Sequence, residues 1–120
     1  MGRTVMIVDD ALFMRSILRG ILEEQGYRVV AEAASAAETL RQLQDLKPDI
    51  ITLDIILPDS NSLELLEEII RTSPAARVLV CSAIGQEAIV AKARELGAIA
   101  FLQKPFSPEQ VAKALNSLGR

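Results

Sequence analysis

Ile50-Ile51-Thr52-Leu53-Asp54 is the stretch that decides the architecture. Its first four residues run together without the apolar-polar alternation of a half-exposed strand, so they read as a strand buried on both faces. The run then stops on a carboxylate. A strand covered on both sides calls for helices on both sides, and the chain around it supplies them.

Working outward, Val5-Met6-Ile7-Val8, Val29-Val30-Ala31, Val78-Leu79-Val80-Cys81 and Ile99-Ala100-Phe101-Leu102 are the other strand candidates. Segments of helical period separate them. The first helix carries Phe13, Met14, Ile17, Leu18, Ile21 and Leu22 and ends at Gly26. The second opens at Ser35 with Glu38 in capping-box spacing, and Leu40 and Leu43 share one face. Asn61 and Glu64 open the third, which presents Leu66, Ile69 and Ile70 before Pro74 closes the unit. The fourth bears Ile89, Ala93 and Leu96 and stops at Gly97. Ser107, Pro108 and Gln110 start the fifth, which carries Val111, Leu115 and Leu118 and is expected to run almost to Arg120. Strict alternation without a tight hairpin signal predicts an α/β fold: a (βα)5 doubly wound, parallel five-stranded sheet with helices on both faces. Two strand orders are common in such sheets, and 2-1-3-4-5 is the one expected here.

Composition narrows the function. At 120 residues, half of them apolar, the chain fits one domain spanning 1–120. Sixteen acidic residues against 13 basic ones, the latter scattered, argue against nucleic-acid binding. No apolar run approaches the roughly 18 residues of a membrane span, so a cytoplasmic protein is expected. The single cysteine, Cys81, forms no internal disulfide, and its apolar setting suits an inert thiol. Histidine is absent, which removes imidazole catalysis and any role as a phosphohistidine donor.

In a parallel sheet all the strand C-termini share one edge, where ligands bind. Asp9 and Asp10 follow strand one, Asp54 strand three, Ser82 strand four and Lys104 strand five. Strands about 4.8 Å apart put Asp54 between the Asp9-Asp10 pair and Ser82. Lys104 starts roughly 10 Å away, within reach of its long stem. Crowded carboxylates repel unless a cation neutralises them, and an all-oxygen donor set favours Mg2+. Together these parts suit phosphoryl transfer to Asp54, with Lys104 and the metal as countercharge and the Ser82 hydroxyl as donor to a phosphoryl oxygen. Taken singly, each has a plainer role: Asp10 as a helix cap, Ser82 as another, Lys104 as a solvated charge.

Val8-Asp9-Asp10, Asp54 with Pro58, Val80-Cys81-Ser82-Ala83, Gly97-Ala98 and Phe101 through Lys104-Pro105-Phe106 together resemble the receiver domain of bacterial response regulators, over essentially the whole chain. The resemblance implies a two-component phosphoprotein that takes its phosphoryl group from a sensor histidine kinase. It implies a metal site of Asp10, Asp54, Asp9 partly through water, and the main-chain carbonyl of Ile56, and it implies a cis bond between Lys104 and Pro105. It further implies that Ser82 moves toward the phosphoryl group and lets Phe101 turn inward. Ile56, Ala83, Ile84 and Pro105 would modulate the site. Beyond turning over its own phosphate, no enzyme activity is implied.

Phe13-Met14-Arg15, the stretch from Cys81 to Gln86, and an end just after helix five resemble stand-alone chemotaxis regulators of the CheY type. Such proteins signal through helix four, strand five and helix five to a flagellar motor switch protein; a phosphatase is a further expected partner, and the chain is expected to be a monomer. A receiver cut from a longer transcriptional regulator, or a phosphorelay shuttle, are the alternatives.

Three departures from the family pattern carry expectations. Ser62 stands where glycine is usual at the start of helix three. Phe101 lacks the hydroxyl of the tyrosine often found there, so the inactive state should be less firmly held. Ile56 and Ile84 are bulky and apolar, which predicts a slowly decaying acyl phosphate. Rival functions fit less well. A flavodoxin-like electron carrier needs a hydroxyl- and glycine-rich cradle after strand one, where this chain has two carboxylates. A dehalogenase-like phosphatase needs an Asp-x-Asp pair there. A structural module that had lost its chemistry would lack a site residue.

Overall fold

In the computed structural model, which describes residues 3–83 and 85–118, the chain runs β1 (Thr4–Val8), α1 (Leu12–Glu24), β2 (Arg28–Ala33), α2 (Ala36–Gln42), β3 (Ile50–Asp54), β4 (Ile56–Leu57), β5 (Ser60–Asn61), α3 (Ser62–Thr72), β6 (Arg77–Ser82), α4 (Glu87–Leu96), β7 (Ala100–Gln103) and α5 (Pro108–Asn116). Five of these strands form one parallel sheet in the order β2-β1-β3-β6-β7. Counting only those five, this is the expected 2-1-3-4-5 order. β3 lies at its centre with all five residues buried.

Side-chain alternation along the central strands fills two apolar layers. Met6, Val8, Ile51, Leu53, Val78 and Val80 pack with Leu66 and Ile69 of α3 and Ala93 of α4. Val5, Ile7, Ile50, Leu79, Cys81 and Leu102 pack with Leu18 and Leu22 of α1 and Val111 and Leu115 of α5. The parallel register sets Val8 beside Leu53 and Asp54 beside Cys81, so β1, β3 and β6 end level with one another. Among the described residues no helix is long and apolar enough to cross a membrane.

The helix starts follow local chemistry. Ser35 Oγ accepts from the Glu38 N–H at 3.1 Å, while Glu38 Oε1 accepts from the Ala34 N–H at 2.7 Å, so the reciprocal bond closes one residue further out than a capping box. Asp59, from a different loop, also accepts from the N–H groups of Ala36 and Ala37, at 2.9 and 3.2 Å. Those bonds hold its carboxyl below the usual carboxylate range. Asn61 Oδ1 caps α3 through the Leu63 N–H, and Ser107 Oγ caps α5 through the Gln110 N–H.

Three sequence expectations are corrected. A short antiparallel hairpin, Ile56-Leu57 against Ser60-Asn61, follows β3 where the sequence carries no hairpin signal. Two residues per arm are too few to show alternation. Phe13, which the helical period groups with the core side chains of α1, is 73 % exposed, as is its neighbour Leu12 at 65 %. The first turn of α1 follows directly on the end of β1, and these two side chains there stay largely in solvent. Finally, α5 ends at Asn116, and Leu118 reaches the core from the turn that follows.

Gly97 joins α4 to β7 with φ of 123°, and a Cβ there would lie 2.6 Å from Ile70 Cδ1. Gly97→Ala is expected to destabilise by about 1–3 kcal/mol through backbone strain. Gly20 lies inside α1 and is open to solvent, and a Cβ there would have nothing within 4 Å of it. Gly20→Ala should instead gain about 0.5–1 kcal/mol. Urea denaturation of the two variants distinguishes them.

Candidate functional site

The edge formed by the ends of β1, β3, β6 and β7 gathers the polar residues singled out above. Asp9 and Asp54 are buried and Asp10 is exposed. One carboxylate oxygen from each lies within 4.8 Å of the other two. Lys104 Nζ reaches across from the end of β7 and donates to Asp9 Oδ2 at 2.8 Å and to Asp54 Oδ2 at 3.1 Å. Its own N–H donates to the Ser82 carbonyl at 2.8 Å, and the Lys104–Pro105 peptide is cis, as the resemblance implies.

Backbone groups hold the other oxygen of each buried carboxylate. Asp54 Oδ1 accepts from the Ile56 N–H at 3.2 Å, and Asp9 Oδ1 accepts from the Ala11 N–H at 2.9 Å. Asp9 rather than Asp10 therefore bonds the start of α1, and no side chain bonds from the cap position itself. Asp10, Asp54, Ile56, Leu57, Pro58, Ala83, Gln86 and Lys104 line a cleft of about 300 Å³. Ser82 opens instead into the adjoining cleft, of about 400 Å³, beside Phe101. The two clefts share Ala83 and Gln86. Ile56, 54 % exposed, borders the first of them, whereas Ile84 lies outside the described residues.

Several contacts at this edge had no marker in the sequence. Arg15 Nη1 donates to the main-chain carbonyl of Asp9 at 2.6 Å, and its Nε pairs with Glu32, which Arg19 also pairs. Burial works to raise the Glu32 carboxyl, but the bonds from Arg19 and Arg15 outweigh it and hold it below its ordinary value. The spacing from Asp9 to Arg15 spans a helix start and has no recognisable period. The buried Ser62 Oγ donates to the main-chain carbonyl of Asp54 at 3.2 Å, so the residue that replaces glycine braces the backbone of the central strand end. Thr52, two residues before Asp54, has a buried hydroxyl with no partner among the described residues.

Electrostatics match the geometry. Burial, and next the charge of Asp9, push the Asp54 carboxyl above its ordinary range, while Lys104 and the Ile56 N–H pull it back only in part. Burial lowers Lys104, yet its bond to Asp9 and the charge of Asp54 outweigh this and raise it, so it stays a cation. Three carboxylates against one ammonium leave uncompensated negative charge. The all-oxygen donor set, with one member exposed to solvent, fits a hard divalent cation that keeps some of its waters.

The raised Asp54 has a consequence for stability. Its protonated form is favoured by the fold, so ionisation costs stability as pH rises through its folded-state value. Without metal near neutral pH, Asp54→Asn should therefore melt above wild type. That advantage should shrink as pH falls and Asp54 takes up a proton, and again when magnesium is added. Thermal melts at several pH values, with and without MgCl2, measure both effects.

Residues 5–116 match the response regulator receiver domain family. The chain is 44% identical over 120 residues to the chemotaxis protein CheY of Thermotoga maritima, covering all of both chains. It is 39% identical over 116 residues to the chemotaxis protein CheY of Bacillus subtilis, covering 97% of each. A LuxR-family two-component response regulator from Aurantimonas superposes with a TM-score of 0.89 at 33% identity, over 98% of this chain and 85% of that one. A CheY-like receiver domain protein from Methanospirillum hungatei does so with a TM-score of 0.88 at 25% identity, over 98% and 94%. With likeness running from end to end in both sequence and fold, the chain belongs to the receiver-domain family of two-component response regulators.

Proposed function

We propose that Asp54 accepts a phosphoryl group from a phosphohistidine of a sensor histidine kinase, with Mg2+ bound, and that the chain reports its state in chemotaxis. The observation that carries this is the Lys104 ammonium placed between Asp9 and Asp54, with the oxygens of Asp9, Asp10 and Asp54 within 4.8 Å of one another. That arrangement supplies a nucleophile, a countercharge and a metal cradle at one point.

Asp10 and Asp54, with Asp9 partly through water and the carbonyl of Ile56, would hold the metal, which when bound neutralises charge on the phosphoryl oxygens. An Asp54 carboxylate oxygen forms the new bond to phosphorus as the bond to the donor imidazole nitrogen breaks. Lys104, already oriented by its two acceptors, keeps an ammonium beside the reacting carboxylate. Ser82 must leave its own cleft to donate to a phosphoryl oxygen, and Phe101 turns toward the space it vacates. This links Asp54 to the face made by α4, β7 and α5, where an output partner such as a motor switch protein would bind. Ile56, exposed in the lining of the acidic cleft, and Leu12 and Phe13, exposed at the start of α1 just after Asp10, suit contact with the kinase.

The chemotaxis assignment follows the names of the relatives that match from end to end. A role as one module of a longer regulator is the second reading. It is favoured by a 38% match over 104 residues to only 30% of a Thermotoga maritima protein-glutamate methylesterase/protein-glutamine glutaminase.

Incubation with acetyl phosphate and MgCl2, followed by intact mass spectrometry, should add one phosphoryl group to the wild type. Asp54→Ala and chelation by EDTA should each abolish it, and modification that survives Asp54→Ala would overturn the assignment. The apolar Ile56 side chain at the cleft should also hinder an attacking water. Ile56→Asn is accordingly expected to shorten the acyl-phosphate lifetime several-fold, followed by loss of the added mass over time.

A further inference from the structure

Phe101 pairs with Val80 across the sheet and packs only partly against the core. Above its ring, 4.5 Å from the centroid, sits the guanidinium carbon of Arg94, an exposed residue of α4. This is cation–π geometry. Arg94 has no competing claim on it: among the described residues it makes no ion pair, and Glu95 on the same helix is engaged by Lys92. The cleft of about 400 Å³ beneath it extends from Phe101 and Arg94 past Val90 and Gln86 to Ser82. A cavity of about 150 Å³ accommodates benzene, so the cleft has room for the ring to turn.

We propose that Arg94 is a positioning residue for Phe101. By seating its guanidinium on the ring it holds the ring where it stands, beside the cleft that reaches Ser82, and so opposes the turn that a phosphoryl group on Asp54 favours. The proposal rests on the phosphoacceptor role of Asp54 and adds to it the device that keeps the unphosphorylated chain quiet. A phenylalanine has no hydroxyl with which to fix its position by a hydrogen bond, and the π face is what remains to be held. Arg94 holds that face. The loose resting state expected from the missing hydroxyl is therefore countered from the neighbouring helix.

Linkage sets the size of the effect. Whatever favours the resting position of the ring weakens any ligand of Asp54 that requires the ring to turn, by at most the same factor. An exposed cation–π contact corresponds to a factor of about two to five. Arg94→Met keeps the length of the side chain and its helix preference while removing the charge. Arg94→Lys keeps a charge but loses the planar stack.

The test uses beryllofluoride with MgCl2 as a phosphoryl mimic, titrated by calorimetry into wild type, Arg94→Met and Arg94→Lys. A parallel set is labelled with 4-fluorophenylalanine, which reports on Phe13, Phe101 and Phe106 by fluorine NMR, with Phe101 assigned through Phe101→Leu. Arg94→Met should bind beryllofluoride about two- to five-fold more tightly than wild type, with Arg94→Lys between. Before any ligand is added, its Phe101 resonance should already be displaced toward the beryllofluoride-saturated position. Equal affinities, or an unmoved resonance, overturn the latch while leaving the phosphoacceptor role intact. Failure of wild type to bind beryllofluoride overturns the phosphoacceptor role itself, and with it the coupling of Arg94 to that site.

Discussion

Asp9 and Asp54 are both buried at the sheet edge, and a single ammonium, that of Lys104, bonds them both. Burying two carboxylates side by side costs several kcal/mol for each ion left without a partner. Much of the surrounding structure can be understood as meeting that cost. Parallel order places β1 beside β3, which creates the crowding. The same order puts β7 two strands from β3, a gap the lysine stem spans while its own N–H anchors to the Ser82 carbonyl. Backbone N–H groups of Ala11 and Ile56 take the remaining carboxylate oxygens. The compensation is incomplete, as the raised Asp54 carboxyl records. A site left partly uncompensated is suited to receive a cation and to carry a group that changes its charge.

Two clefts that meet at Ala83 and Gln86 give this electrostatic strain a route outward. One is lined by Asp10 and Asp54 and the other by Ser82, Phe101 and Arg94. Gln86 Oε1 accepts from the Ala83 N–H at 2.7 Å, so the residues common to both clefts are tied to each other. In the proposed switch, Ser82 transfers from one cleft to the other, and the space it vacates adds to that into which the ring turns. Packing is close enough in such interiors that an exchange of this kind tends toward two discrete arrangements rather than a gradual slide.

The sheet order and the acidic edge were legible because both arise from backbone periodicity and strand ends. Runs such as Ile50 to Leu53 state their burial directly, and each polar residue that follows a strand falls on one edge once the sheet is parallel. What was not legible depends on how side chains reach between elements. Asp59 caps α2 from 22 residues away, and Glu32 is shared by two arginines of α1. Arg94 of α4 meets Phe101 of β7 across the turn at Gly97, a contact that no periodicity marks. Phe13 misled for a different reason: helical period says which way a residue faces, but not whether the sheet extends beneath it. Ser62 looks from the sequence like a turn residue out of place, and in the fold it is bonded to the backbone of Asp54.

Cys81 lies in the core directly beside Asp54, and burial together with the Asp54 charge raises its thiol far above the ordinary range. As the only sulfhydryl of the chain, it is inert to alkylation while the central sheet stays closed. The native protein thus contains its own clock for opening. The pace at which an alkylating reagent consumes that sulfhydryl measures how often β6 separates from its neighbours, at the strand junction where the carboxylates are held.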